Sequence, residues 1–188
     1  RMSEPAFQRM SAEEYLRTER DSPVKREFVD GFVYPLHAQA GASKTHTRLT
    51  LRIGSMLENL ATERGCRPYV SDMKLMASAW RTFYYPDVMV CCGPDNPEQD
   101  FEVDACLLIE VLSPSTAAHD RTGKFAAYTA LPGLQTYLLV EQTQPRIYAY
   151  QRTEGGWELT EYESGEIPLP CLDAGLNVER VYRGLVPS

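Results

Sequence analysis

The run Ala105-Cys-Leu-Leu-Ile-Glu-Val-Leu112 constrains the fold more than any other segment. Strand alternation puts Leu108, Glu110 and Leu112 on one face and Leu107, Ile109 and Val111 on the other. Both faces are apolar, which places the strand in the middle of a sheet covered on both sides. Yet it carries Glu110, and an ionised acid there is costly unless its charge is compensated. Pro86-Asp87-Val88-Met89-Val90 repeats the pattern, with an acid at the start of an apolar strand. Acids on two strands consecutive in sequence can converge on one cation, and oxygen donors of this kind suit Mg²⁺. The alternative is that each acid is paired with a buried Lys or Arg and serves the fold alone.

The rest of the chain supplies the cover. Ser11-Ala-Glu-Glu14 is a capping box that opens a short helix to about residue 19. Asp30-Gly31 is a hairpin turn between strands at 25–29 and 32–36. From 43 to about 64 the period changes: Leu49, Ile53, Met56, Leu57 and Leu60 fall at helical spacing, and Gly65 is a natural stop. Strands are expected at 67–77, 83–91 and 105–112, with a solvated loop over 93–104 carrying two prolines and five carboxylates. Asp120 offers an N-cap for a helix to about 131, which Pro132-Gly133 breaks. Strands at 135–141, 146–152 and 157–163 complete the pattern. The order implies an α/β or α+β fold, a mixed β-sheet core flanked by helices, in a single domain over residues 1–188.

Several function classes are excluded. No apolar run approaches the ~18 residues of a membrane span, and the first 25 residues lack an apolar signal core. A cytoplasmic protein with no membrane partner is the expectation. The five cysteines, Cys66, Cys91, Cys92, Cys106 and Cys171, form no CxxC pair and are expected as reduced, buried thiols. Zinc is disfavoured because adjacent Cys91 and Cys92 on a strand point to opposite faces. No GxGxxG, P-loop, HExxH or GxSxG occurs. A Ser/His hydrolase using Ser113 or Ser115 with His119 lacks a nucleophile elbow. The net charge of −7, from 26 acidic and 19 basic residues, argues against a general polyanion binder. The charge is uneven, however: residues 1–81 carry 13 basic and 10 acidic side chains, and residues 82–188 carry 6 and 16.

Taken together, Ser71-Asp72-Met73-Lys74, Tyr84-Tyr85-Pro86-Asp87-Val88, Ile109-Glu110-Val111-Leu112-Ser113-Pro114-Ser115-Thr116, and Asp120 with Lys124 and Tyr128 resemble a bacterial family. It is the Uma-type restriction endonucleases, a branch of the PD-(D/E)XK nuclease superfamily. Glu27 with Asp30-Gly31, His46, and Tyr137-Leu-Leu-Val-Glu141 extend the likeness, although the family more often has Trp after that Tyr and Asp at the end. The resemblance implies a restriction-endonuclease-like fold and cleavage of DNA dependent on Mg²⁺ or Mn²⁺. Asp87 and Glu110 take the two acidic positions as metal ligands, the Val111 carbonyl is a further ligand, and Glu27 completes the acidic cluster. By analogy with restriction-type nucleases, a homodimer is implied.

One departure matters. The superfamily lysine lies two residues after the glutamate, where this chain has Leu112. Related families move it to a neighbouring helix, which makes Lys124 the candidate and Lys74 the reserve. Lys124 would orient the attacking water or neutralise developing charge. Asp120 has two readings, a helix cap or a group that steers Lys124. His46 contacts phosphate or the acids, or simply packs at the helix start. Tyr128 is core or supports the site. Arg48 and Arg52 form a small basic ridge, either solvated or facing phosphate. His37 and His119 are expected in exposed loops. The competing class is an inactive nuclease-fold module that binds nucleic acid or a partner, which Leu112 and the net acidity favour.

Overall fold

The computed structural model describes residues 8–36, 43–114 and 117–187. Strand β1 (Gln8–Arg9) leads into α1 (Ala12–Glu19), whose N-cap Ser11 accepts a hydrogen bond from the Glu14 amide at 3.1 Å. The hairpin β2 (Arg26–Val29) and β3 (Phe32–Pro35) turns at Asp30-Gly31, both at positive φ, as a tight turn matching strand twist requires. Helix α2 (Lys44–Thr62) buries Leu49, Ile53, Leu57 and Ala61 on one stripe, and Gly65 at φ 72° ends the segment.

The expected strands at 67–77 and 83–91 each divide in two. The first becomes β4 (Arg67–Val70) and β5 (Lys74–Ser78). The second becomes β6 (Thr82–Tyr84) and β7 (Val88–Cys91). Pro86 has no N–H for the ladder, so the second strand breaks around it. Each break is a passage between sheets. Strands β5 and β6 belong to a six-stranded sheet that also holds β1, β2, β3 and the short β8 (Phe101–Glu102). Strands β4 and β7 belong to a second six-stranded sheet with β9 (Ala105–Val111), β10 (Thr136–Val140), β11 (Ile147–Thr153) and β12 (Gly156–Tyr162). Strand β8 corrects the expectation of a wholly solvated loop. Its Phe101 packs edge-on to Phe83 at 5.4 Å, and its Glu102 takes Arg67 at 2.8 and 3.1 Å and the Tyr69 hydroxyl at 2.6 Å.

In the second sheet β9 is central, parallel to β10 and antiparallel to β7, and all seven of its residues are buried. One face packs on α2 through Leu107, Ile109 and Val111; the other carries Leu108, Tyr128 and Tyr137. A mixed sheet core flanked by helices is therefore the architecture. Replacing Leu108 with alanine is expected to cost about 2–5 kcal/mol in urea unfolding; a loss below about 1 kcal/mol would contradict its place in the core.

Two short helices follow β9: α3 (Ala117–Arg121) and α4 (Gly123–Thr129). Asp120 is thus not an N-cap; it lies inside α3, and Thr122 precedes α4 without a side-chain cap. His119 is also in α3 rather than in a loop, with its ring edge-on to Tyr84 at 5.8 Å. His37 and Ser115 lie outside the described residues. The chain ends with the hairpin β13 (Glu166–Leu169) and β14 (Ala174–Asn177), joined through a 3-10 turn at Pro170–Leu172, and α5 (Val178–Tyr182). The cysteines also depart from expectation. Cys66 is bonded to Cys92 and Cys106 to Cys171, which leaves Cys91 as a buried thiol.

Candidate functional site

Asp87 sits where the chain passes from β6 to β7, so its amide and carbonyl make other contacts. Its carbonyl accepts from the Ser71 amide at 3.0 Å, and its own amide donates to Glu110 Oε1 at 3.2 Å. In return the Val111 amide donates to Asp87 Oδ2 at 2.7 Å. Each acid is therefore anchored by the backbone that carries the other. This crossed pair needs both the sheet passage at Pro86-Asp87 and the central position of β9.

Lys124 comes from the first turn of α4 and is only 6% exposed. Its ammonium lies 3.1 Å from Glu110 Oε2, 3.4 Å from Asp120 Oδ1 and 3.9 Å from Glu27 Oε2. The Tyr84 ring covers it at 5.4 Å. The Tyr128 hydroxyl donates to Glu110 Oε2 at 2.9 Å, and the Tyr85 amide donates to Glu27 Oε2 at 3.0 Å. Asp120 approaches Lys124 across one helical turn, and its carbonyl accepts from the Tyr137 hydroxyl at 2.8 Å. His46, third in α2, places Nε2 3.4 Å from Asp87 Oδ2. Ser43, the α2 N-cap, donates its hydroxyl to the Gln142 side chain, whose amide donates to the Leu112 carbonyl at 2.8 Å. That chain of contacts pins the start of α2 to the end of β9.

The charges explain the protonation preferences. Four carboxylates, Glu27, Asp87, Glu110 and Asp120, face the Lys124 ammonium and the His46 ring. Burial pushes the Glu110 carboxyl well above its ordinary range; Lys124 opposes the shift, and Asp120 and Asp87 add to it. Burial acts in the same direction on Asp87, but the His46 hydrogen bond and charge and the Val111 amide outweigh it, so its carboxyl is held low. His46 is raised, first by its hydrogen bond to Asp87, against burial, with the Val111 main chain also helping. Lys124 loses hydration on burial, yet Glu110, Glu27, Asp120 and Asp87 together hold it firmly protonated. The cluster remains rich in negative charge, and Asp87 Oδ1 makes no hydrogen bond to any described residue. Hard carboxylate oxygens around such an excess are the donor set a small divalent cation takes.

A family described as "Uma2: Putative restriction endonuclease" matches residues 12–180. The chain belongs to the Uma2 family. Two relatives are uncharacterized proteins of Synechocystis sp. (strain ATCC 27184 / PCC 6803 / Kazusa). The protein slr1290 is 36% identical over 182 residues, 95% of this chain and 94% of that one. The protein sll1609 is 37% identical over 165 residues, 84% and 91% of the two chains. Among solved structures, a protein from Anabaena variabilis ATCC 29413, described as "a putative nuclease belonging to DUF820", superposes with a TM-score of 0.71. It covers 92% of this chain and 97% of its own at 14% identity, so it speaks for the fold.

Within this Uma2 chain, the residues singled out from sequence separate into two groups. Asp87, Glu110, Val111, Glu27, Lys124, Asp120, Tyr128 and His46 come together. Lys74 does not join the carboxylates; it is buried with its ammonium over the Tyr85 ring at 5.7 Å. Arg52 donates to the carbonyls of Arg180, Val181 and Arg183 at 2.8–3.2 Å, closing the end of α5, and so leaves the basic ridge. Arg48 stays exposed on α2. Leu112 is 3% exposed in the apolar face beside Tyr128. Sequence reasoning missed Gln142 and the ring of Tyr84 as supports. Tyr84 carries only the signal of lying in the Tyr-Tyr-Pro-Asp run, and Gln142 carries none, because its role depends on where α2 starts.

Proposed function

We propose that this Uma2 protein is a Mg²⁺- or Mn²⁺-dependent endonuclease that hydrolyses phosphodiester bonds of DNA. In this reading residues 1–188 form one nuclease domain acting as a cytoplasmic homodimer. One observation carries the catalytic assignment: Lys124 reaches Glu110 at 3.1 Å from a neighbouring helix, which offers the superfamily's ammonium although Leu112 stands at its usual place. The inactive-module alternative rested on that departure and on the net acidity, and Lys124 answers the first of the two.

Asp87 and Glu110 would hold the metal, with the Val111 carbonyl and Glu27 completing its surroundings. The chemistry a bound divalent cation supplies is charge neutralisation at the phosphate and a more acidic water. The protein's own groups do the rest. Lys124 presents a fixed positive charge where the phosphate becomes more negative. Asp120 and Tyr84 hold that ammonium in place, and Tyr128 orients the Glu110 carboxylate. His46 keeps Asp87 ionised and aimed. The wall formed by His46 and Asp87 is the more open one, with side chains 21% and 20% exposed. There the first turn of α2 directs the positive end of a helix dipole at an incoming phosphate. Lys44 and Arg48, two residues either side of His46 on the same helix, are exposed cations, so DNA binding should weaken as salt rises.

Incubating supercoiled plasmid with the protein and Mn²⁺ tests the reading directly: nicked and linear products are expected, and none with a chelator. A full set of products in the presence of chelator would overturn metal dependence. The pH dependence follows from Glu110. Its free carboxyl is raised, and a cation favours the ionised form, so metal uptake displaces a proton. Mn²⁺ affinity is therefore expected to climb with pH above the ordinary carboxylate range, measured by calorimetry in buffers of different ionisation enthalpy. An affinity flat with pH, with no proton release, would count against Glu110 as a ligand.

A further inference from the structure

The other end of the central strand holds a second cluster. Four of the five cysteines reach it from separate segments: Cys66 just after α2, Cys92 just after β7, Cys106 in β9 and Cys171 in the 3-10 turn. In a regular strand Cys106 would share the face of Leu108 and Glu110. The β7–β9 ladder prevents this, because Val90 pairs with Leu107 and Cys91 with Ala105, skipping Cys106. The extra residue is a bulge, and it turns Cys106 to the α2 side beside Leu107, a re-aiming that bulges provide. The sulfurs of Cys92, Cys106 and Cys171 lie within 4.8 Å of one another. Cys92 Sγ and Cys106 Sγ are 3.5 Å apart although they belong to different disulfides. Cys91, on the opposite face, remains a buried thiol outside the group.

Four thiolates around tetrahedral Zn²⁺ sit ~2.3 Å from the ion, which spaces the sulfurs roughly 3.8 Å apart. The contact between the two disulfides is already close to that spacing. We propose that the reduced protein binds Zn²⁺ through Cys66, Cys92, Cys106 and Cys171, and that the two disulfides are the oxidised form of the same site. Each disulfide takes two electrons and two protons from a dithiol reductant, which leaves as its own disulfide. Zn²⁺ then displaces the four thiol protons. Cys92 is exposed and Cys171 half-buried, so the ion has an entry, whereas Cys66 and Cys106 are buried anchors. Four protein ligands leave no open position, which makes the site structural. It would tie α2, the sheet and the C-terminal hairpin together. Cys106 lies four residues before Glu110, ~13 Å along the strand, so this site is separate from the carboxylates.

Anaerobic titration of the dithiol-reduced protein with Co²⁺ alone tests the proposal. The thiolate charge-transfer band in the near ultraviolet should saturate at one Co²⁺ per chain, whatever further Co²⁺ the carboxylates take without that band, and Zn²⁺ should remove it. Cys106→Ser and Cys171→Ser should each weaken binding at least ~100-fold, since even losing an outer-shell partner costs ~10–100-fold. Cys91→Ser and Asp87→Asn should leave the band in place. Where a serine variant does not fold, alkylation of the reduced wild type decides: Zn²⁺ should protect the exposed Cys92 and the half-buried Cys171, whose modification the apo protein permits. Absence of the band in fully reduced protein, its survival in Cys106→Ser, disulfides that resist reduction in the folded chain, or thiols that Zn²⁺ leaves unprotected would each overturn the site.

Discussion

Lys124→Ala should destabilise the metal-free protein by about 3–5 kcal/mol, the usual cost of removing one partner from a buried ion pair. Lys124 is 6% exposed and is the ammonium shared by Glu110, Asp120 and Glu27. Without it these buried acids lose their nearest counter-charge and must take up protons or water. The expected signature goes beyond loss of stability. Millimolar Mn²⁺ should restore more stability to the variant than it adds to the wild type, because a cation binding only the folded state stabilises it by mass action. Urea unfolding with and without Mn²⁺ provides the measurement. A loss below about 1 kcal/mol, or equal metal effects in both proteins, would show that the ammonium does not hold the cluster together. Cleavage should fall as well. Should Lys124→Ala retain cleavage while Lys74→Ala abolishes it, the catalytic lysine would be Lys74.

Glu110→Gln and Asp87→Asn should abolish metal-dependent cleavage, with a loss of at least ~100-fold, the upper range for losing even an outer-shell partner. Their effect on stability should differ from that of Lys124→Ala. Glutamine keeps the volume of Glu110 and an oxygen that can accept from Tyr128, and, like the neutral acid that burial favours, it adds no negative charge to the cluster. Lys124 still has Asp120 at 3.4 Å and Glu27 at 3.9 Å. Glu110→Gln is therefore expected to be clearly milder than Lys124→Ala in metal-free urea unfolding. The reverse order would mean that the cluster is governed by the Glu110–Lys124 pair alone and has no surplus charge for a metal to neutralise. Full Mn²⁺-dependent cleavage in either carboxylate variant would remove the proposed site.

Particular residues show why some of this was legible in the sequence. Glu110 stands out because an acid interrupts an otherwise apolar central strand, a signal contained in eight residues. The Asp30-Gly31 turn, the Ser11 cap and the α2 stripe are likewise local patterns with a local cause. Asp120 shows the limit. Its position before an apolar stripe suggested a cap, yet α3 forms around it and its carboxylate turns inward to Lys124. Arg52 shows another: the ridge on α2 is visible in sequence, but the α5 carbonyls that occupy Arg52 are 128–131 residues away.

By itself the sequence determined the central strand, its acid, the long helix and an acid at the start of a second apolar strand, because periodicity and turn chemistry act over a few residues. Tertiary structure decided the rest. It split two expected strands between sheets at Ser71–Met73 and Tyr85–Asp87, and so brought Asp87 and Glu110 into reciprocal hydrogen bonds. It put the Lys124 ammonium against Glu110 and the Lys74 ammonium over the Tyr85 ring, and a one-residue bulge sent Cys106 to the face opposite Glu110. The physical reason is common to all three. A strand's register and sheet membership depend on partners far along the chain, and one residue of slip exchanges the faces on which side chains meet.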